Sequence, residues 1–169
     1  MTNERRQLLW LAPSAADAIR FQAIIDHLAE LQGAPRFTPH MTLASFEGPV
    51  PDIAPALEAL KGLRLNPAGI GQSDVFTQSL FLRVEANEAL LEAREYFRSC
   101  PGFRAGRAFD PHLSLCYGVP PSGSAELPAI KALLAEPIHF DCLKRVEIHL
   151  PVDSYDAIRA WEDGPTHTF

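Results

Sequence analysis

Two stretches, Pro39-His40-Met41-Thr42-Leu43 and Pro111-His112-Leu113-Ser114-Leu115, share one pattern: Pro, His, an apolar residue, a hydroxyl residue, Leu. They open equivalent strands in two successive runs of predicted elements, and no other feature narrows the fold as far. In the first run residues 7–12 read as a strand closed by Pro13. Ser14 then caps a helix whose apolar positions, Ile19, Phe21, Ile24, Ile25, Leu28 and Leu31, recur near helical spacing until Gly33 stops it. Residues 40–46 form a second strand and 52–62 a short helix. Residues 63–76 are extended but interrupted by Pro67, Gly69 and Gly71, as in an edge or bulged strand.

The second run repeats the order: a strand at 80–84, a helix at 87–97 capped by Asn87, a loop at 101–110, a strand at 112–119, a short helix at 127–134 and a long extended segment at 138–150. Leu8 precedes His40 by 32 residues and Phe81 precedes His112 by 31. The duplication predicts an α+β protein, a bilobal fold in which two antiparallel-rich sheets face a central cleft with helices on their outer faces. Residues 1–169 then make one two-lobed domain with pseudo-symmetric halves, roughly 1–76 and 77–169, and exchange of strands between lobes is left open. Residues 155–162 are expected to add a closing strand, with Ile158 and Trp161, and the tail through His167 to extend into solvent.

Along a strand, residues i and i+2 lie on one face, about 7 Å apart. His40 and Thr42 therefore project together, as do His112 and Ser114, while Met41, Leu43, Leu113 and Leu115 face the packed side. Two imidazoles and two hydroxyls around one cleft suit cleavage of a phosphodiester. One neutral imidazole takes the proton of the attacking oxygen, and an imidazolium opposite protonates the leaving oxygen. The hydroxyls donate to the non-bridging oxygens where charge accumulates. No metal or other cofactor enters this scheme, and no Asp, Glu or Cys repeats in step with the histidines to supply ligands.

Charge bounds the substrate. Lys and Arg number 15 against 21 Asp and Glu, a net charge of −6. That sign disfavours a long grip on nucleic acid, where neutralising phosphates supplies most of the non-specific affinity, but permits a small nucleotide. Residues 8–12 are too short an apolar run for a signal h-region or a membrane span. Cys100, Cys116 and Cys142 are odd in number and widely spaced, so they read as reduced thiols of a cytoplasmic protein with no membrane partner.

The paired motifs resemble those of the two-histidine phosphoesterase superfamily, and within it the cyclic phosphodiesterases associated with tRNA-splicing by-products. The likeness extends to Leu9-Trp10-Leu11-Ala12-Pro13, to Pro35-Arg36-Phe37-Thr38-Pro39-His40, to Phe76-Thr77-Gln78-Ser79-Leu80-Phe81-Leu82 and to Asp110-Pro111-His112-Leu113-Ser114-Leu115-Cys116-Tyr117. It is poor around 120–124 and after 160. The resemblance implies hydrolysis of nucleoside 2′,3′-cyclic phosphates to 2′-phosphates, or of ADP-ribose 1″,2″-cyclic phosphate, by a monomer acting in RNA metabolism. It makes His40 and His112 the catalytic pair, Thr42 and Ser114 the phosphate binders, and Tyr117 a holder of the attacking water, whence His112 is assigned as base and His40 as acid. Phe76 is a candidate for base stacking.

Arg36, Arg104 and Arg107 flank the motifs and could reach a phosphate, Arg36 with the best claim. His27, His139, His149 and His167 stand outside the repeated pattern and read as structural. Two rival functions remain on the sequence: a 2′-5′ RNA ligase-like enzyme working on RNA ends, and a nucleotide-binding module without catalysis.

Overall fold

The computed structural model describes residues 4–169, which form an α+β fold of two antiparallel sheets and five helices. The first half runs β1 (Glu4–Pro13), α1 (Ala15–Gln32), β2 (Met41–Phe46), α2 (Ala54–Ala59), β3 (Arg64–Leu65) and β4 (Pro67–Gln72). The second runs β5 (Leu80–Val84), α3 (Glu88–Ser99), β6 (His112–Cys116), α4 (Pro128–Ala132), β7 (Ile138–Leu150), α5 (Tyr155–Arg159) and β8 (Glu162–Thr168). The local signals sit where the sequence places them. The Ser14 hydroxyl accepts from the Asp17 N–H and the Asn87 side chain from the Leu90 N–H, each satisfying a donor of the first helical turn. Gly33 closes α1 with φ 64°, a left-handed conformation that its lack of a Cβ permits.

The sheets are not one per half. The first has the order β2-β1-β7-β3, with β8 also paired to β7, and the second the order β4-β5-β6. Each half thus lends a strand to the other half's sheet: β7 pairs with β1 from Glu4↔Leu150 to Pro13↔Phe140, and β4 pairs with β5 from Pro67↔Val84 to Gln72↔Leu80. A continuous core lies between, with Leu9, Leu11, Met41 and Leu43 from the first sheet, Leu80, Leu82, Leu113 and Leu115 from the second, and Phe21, Leu28, Leu90 and Phe97 from α1 and α3. Each such side chain contributes about 1.5–3 kcal/mol by leaving water. A smaller cluster on the opposite face of the first sheet gathers Trp10, Val146 and Ile148 with Leu8, Leu150, Val152 and Trp161.

The C-terminal region departs from expectation. Residues 155–159 form α5, not a closing strand: the Ser154 hydroxyl accepts from the Ala157 N–H, and a helical turn lets Ile158 alone face inward. The strand comes later, as β8, in register with β7 from Cys142↔Thr168 to Glu147↔Glu162. Every residue of β8 is exposed. It carries no alternation of apolar and polar residues, so nothing in its sequence marks the tail as a strand, and backbone pairing alone makes it one. No helix among the described residues is long and apolar enough to cross a membrane.

Candidate active site

The alternation along β2 and β6 settles which side chains turn inward. Met41, Leu43, Leu113 and Leu115 are buried in the common core, and the residues between them turn the other way. A polar cleft of about 170 Å³ collects His40, Thr42, His112 and Ser114 together with Thr77, Gln78 and Tyr117. The four motif residues of both halves therefore line one cavity.

The two imidazoles are held alike. His40 Nδ1 lies 2.7 Å from the Thr38 carbonyl oxygen and His112 Nδ1 lies 2.7 Å from the Asp110 carbonyl oxygen. A carbonyl only accepts, so each Nδ1 carries a proton and donates it, leaving each Nε2 as the atom able to take or give a proton in the cleft. Each ring also has an aromatic partner from the adjacent strand. Trp10 of β1 stacks on His40 at 3.6 Å between centroids and 11° between planes, and Phe81 of β5 meets His112 edge-on at 5.1 Å. Trp10 pairs with Thr42 across the first sheet and Phe81 with Ser114 across the second. The two half-sites repeat down to these positions.

They differ in burial. His40 is 7% exposed, whereas His112 is only half-buried. Burial, reinforced by the positive charges that His112 and Lys144 can carry, pushes the His40 pKa down to about 4 against the pull of the Thr38 carbonyl. His40 is accordingly neutral at pH 7, and its Nε2 accepts from the Tyr117 hydroxyl at 3.3 Å. Burial pushes the Tyr117 phenol up, so Tyr117 stays a donor across the working range. On the other side the Ser114 hydroxyl donates to the Thr77 carbonyl at 3.0 Å. A ligand oxygen would have to recruit that proton from Thr77, while Thr42 stands exposed at the mouth.

A second, wider compartment of about 420 Å³ shares His40, Thr42, Thr77 and Tyr117 with the first. Its other walls are apolar: Leu8 and Trp10 from β1, Ile148 and Leu150 from the end of β7, and Val152 and Trp161 beyond it. Trp161 stands nearly perpendicular to Tyr117, at 88° and 5.6 Å, and to Trp10, at 74° and 5.1 Å. No Lys or Arg lines either compartment among the described residues.

Phe76 sits in the 3₁₀ turn Phe76–Gln78, packs against Tyr117 and Tyr155, and lines neither compartment. Arg36 pairs with Asp26 at 3.8 Å, and Arg104 pairs with Glu47. Neither lines the cleft. Trp10, Thr77, Gln78 and Trp161 line the site but stand outside the two His-x-hydroxyl motifs. Leu9-Trp10-Leu11 and Leu80-Phe81-Leu82 are the signal for the first of them: an aromatic residue flanked by Leu at the matching place in each half.

The fold and the site define an α+β protein with two pseudo-symmetric His-x-hydroxyl strands converging on one cleft. No family model matches the chain. Over 114 residues it is 26% identical to a curated relative from Arabidopsis thaliana named cyclic phosphodiesterase. The match covers 64% of this chain and spans about 63% of that relative's length.

Proposed function

We propose that the protein is a phosphodiesterase that hydrolyses small cyclic phosphates by two-histidine acid–base catalysis. The observation that carries this reading is the single cleft in which two imidazoles, each with Nδ1 tied to the carbonyl two residues back, present Nε2 beside two hydroxyls. In a nucleoside 2′,3′-cyclic phosphate, a water oxygen attacks phosphorus as one Nε2 takes its proton. The bond from phosphorus to O3′ breaks, and O3′ receives a proton from the other imidazole, leaving the 2′-phosphate. Each transfer is worth about 10²–10⁴ in rate, and Thr42 and Ser114 offer hydrogen bonds to the non-bridging oxygens. The name of the Arabidopsis relative supports the same class of reaction.

Burial divides the roles. A base must start neutral and an acid must start protonated. His40 starts neutral, and the Tyr117 hydroxyl that would hold a water points at its Nε2. This favours His40 as base and His112 as acid, the reverse of the division drawn from the sequence. The apolar compartment next to the cleft would take the uncharged part of the substrate, its base and sugar. With no Lys or Arg in either lining among the described residues, a small substrate fits better than an RNA strand, whose phosphates would need such side chains along their path.

Phosphorus NMR with a panel of nucleoside 2′,3′-cyclic phosphates and ADP-ribose 1″,2″-cyclic phosphate tests the reading, because product shifts report activity and the bond broken together. His40→Ala and His112→Ala should each lower kcat at least about 10²-fold, and dialysis against EDTA should leave the rate unchanged. Full activity in the double variant would sink the proposal. With His40 as base, kcat/KM climbs with pH through about 4 as free His40 loses its proton. A profile in which that limb survives His40→Ala would return the base to His112.

A further inference from the structure

At the edge of the first motif strand lies a cation that the chemistry above does not use. Arg94 projects from the middle of α3, half-buried, and its Nη1 donates to the Leu43 carbonyl at 2.5 Å, one residue past Thr42. Its guanidinium carbon stands 4.7 Å from the centroid of Phe103 and 4.6 Å from that of Phe109. Both distances are within cation–π range, and such contacts strengthen on desolvation. Burial lowers its pKa, yet a guanidinium keeps its charge at any working pH.

The place of these contacts gives them meaning. In the first sheet β2 is an outer strand, paired with β1 alone. Its far edge is taken up by the chain that follows α3: the Glu47 N–H donates to the Gly102 carbonyl and the Arg104 N–H to the Ser45 carbonyl, both at 2.8 Å. Beyond Arg104 this segment leaves the edge of β2, and the next carbonyl on that edge, Leu43, receives Arg94 in place of a backbone donor. The segment then passes Phe109 and reaches Asp110, whose carbonyl fixes His112 Nδ1. One guanidinium therefore holds, on one side, the backbone carbonyl next to Thr42 and, on the other, the ring next to the residue that orients His112.

We infer that Arg94 is the positioning residue that sets the first motif in register with the second, by clamping the 103–109 segment against the outer edge of β2. The clamp is independent of which small phosphate enters the cleft, but its kinetic consequence rests on the two-histidine reading. A displacement of about 1 Å between catalytic groups is enough to cost about 10²-fold in rate. Lys in place of Arg keeps the charge and loses the planar fork that stacks on both rings while donating to Leu43.

The test compares Arg94→Met, Arg94→Lys, Phe109→Leu and the double variant Arg94→Met/Phe109→Leu. Two readouts apply: steady-state kinetics on a nucleoside 2′,3′-cyclic phosphate, and proton–nitrogen NMR correlation of the histidine rings in ligand-free protein. Arg94→Met should lower kcat about 10–100-fold with KM within about 3-fold, and Arg94→Lys should fall between it and the parent. In spectra recorded at a pH where both rings are neutral, His112 should lose its single Nδ1–H tautomer while His40, held by Thr38, keeps its own. Phe109→Leu should act in the same direction, and the double variant should be no worse than the poorer single one, since both remove one clamp. Folded Arg94→Met protein with parental kcat and an unchanged His112 spectrum overturns the inference, as do losses that multiply in the double variant. If Arg94→Met does not fold, Phe109→Leu and Arg94→Lys carry the same two readouts. Should the parent hydrolyse no cyclic phosphate, the proposed function fails, and the His112 spectra still decide the clamp.

Discussion

His40 sits where folding and protonation compete. In the unfolded chain its pKa is near the ordinary value of about 6.5, and in the folded protein burial brings it to about 4. Between these values the unfolded state binds more protons, so stability rises with pH. The contribution is complete above about 6.5 and is lost as pH falls through about 4, to an extent of about 3 kcal/mol. Carboxylates titrate near the lower end of that window, so the measurement is a difference. His40→Asn removes the titration while its amide can still donate to the Thr38 carbonyl. Urea unfolding of parent and variant at intervals from pH 7.5 to 4 should give free energies that converge by about 3 kcal/mol at the acid end. Parallel curves would mean that His40 charges freely in the folded state, and the case for it as base would fall with them. The burial responsible comes from aromatic neighbours: Trp10 in front, Phe37 and Trp161 at the edges.

At the scale of elements, the second half-site depends on the pairing of β4 with β5. Gly71 lies opposite Phe81 in the register, and a Cβ added at Gly71 would stand 2.4 Å from the tip of the Phe81 ring. Phe81 has no room to give way, being 2% exposed with the Arg83 guanidinium 5.0 Å over its face and His112 at its edge. Gly71→Ala should therefore destabilise the protein by about 1–3 kcal/mol, the usual range for overpacking a core. It should also move the His112 ring resonances and leave those of His40 in place. A thermal midpoint and His112 spectrum equal to the parent's would refute it. Gly71 is visible in the sequence only as a break in an edge strand, and its partner ring is supplied by strand pairing. The same division runs through the fold. Caps, helices and the two motif strands follow from short-range pattern, because Ser14, Asn87 and the period-2 residues of β2 and β6 act on near neighbours. The destination of β4 and β7, the fully exposed β8 and the aromatic setting of each histidine are long-range outcomes, and only Leu9-Trp10-Leu11 and Leu80-Phe81-Leu82 hint at the last of them.

Two properties belong to the whole molecule. Given the net charge of −6 and a cleft without lysine or arginine in its lining among the described residues, a phosphate bound as proposed would be held by aimed dipoles and imidazoles, not by a surrounding field. Raising salt from 50 to 200 mM should change kcat/KM on a cyclic mononucleotide by less than about 3-fold. A loss of about 10³-fold, the scale for proteins that neutralise many phosphates, would favour an RNA-end substrate instead. The second property is the exchange of β4 and β7 between halves. Without residues 75–169, β1 lacks β7 on one side and β4 lacks β5; without residues 1–74, β5 lacks β4 and β7 lacks β1 and β3. The common core is divided at the same point, with Leu11 and Leu43 on one fragment and Leu82 and Leu115 on the other. Neither fragment keeps a closed sheet or a complete core, so neither half of the duplication should fold alone. Fragments 1–74 and 75–169, expressed separately, should each lack a cooperative thermal transition. Mixed, they should regain one along with hydrolysis of a cyclic phosphate, since the cut falls between β4 and the turn at Phe76–Gln78 and severs no strand. A cooperative transition in fragment 1–74 by itself would show that strand exchange is dispensable and that each half carries its own folding unit.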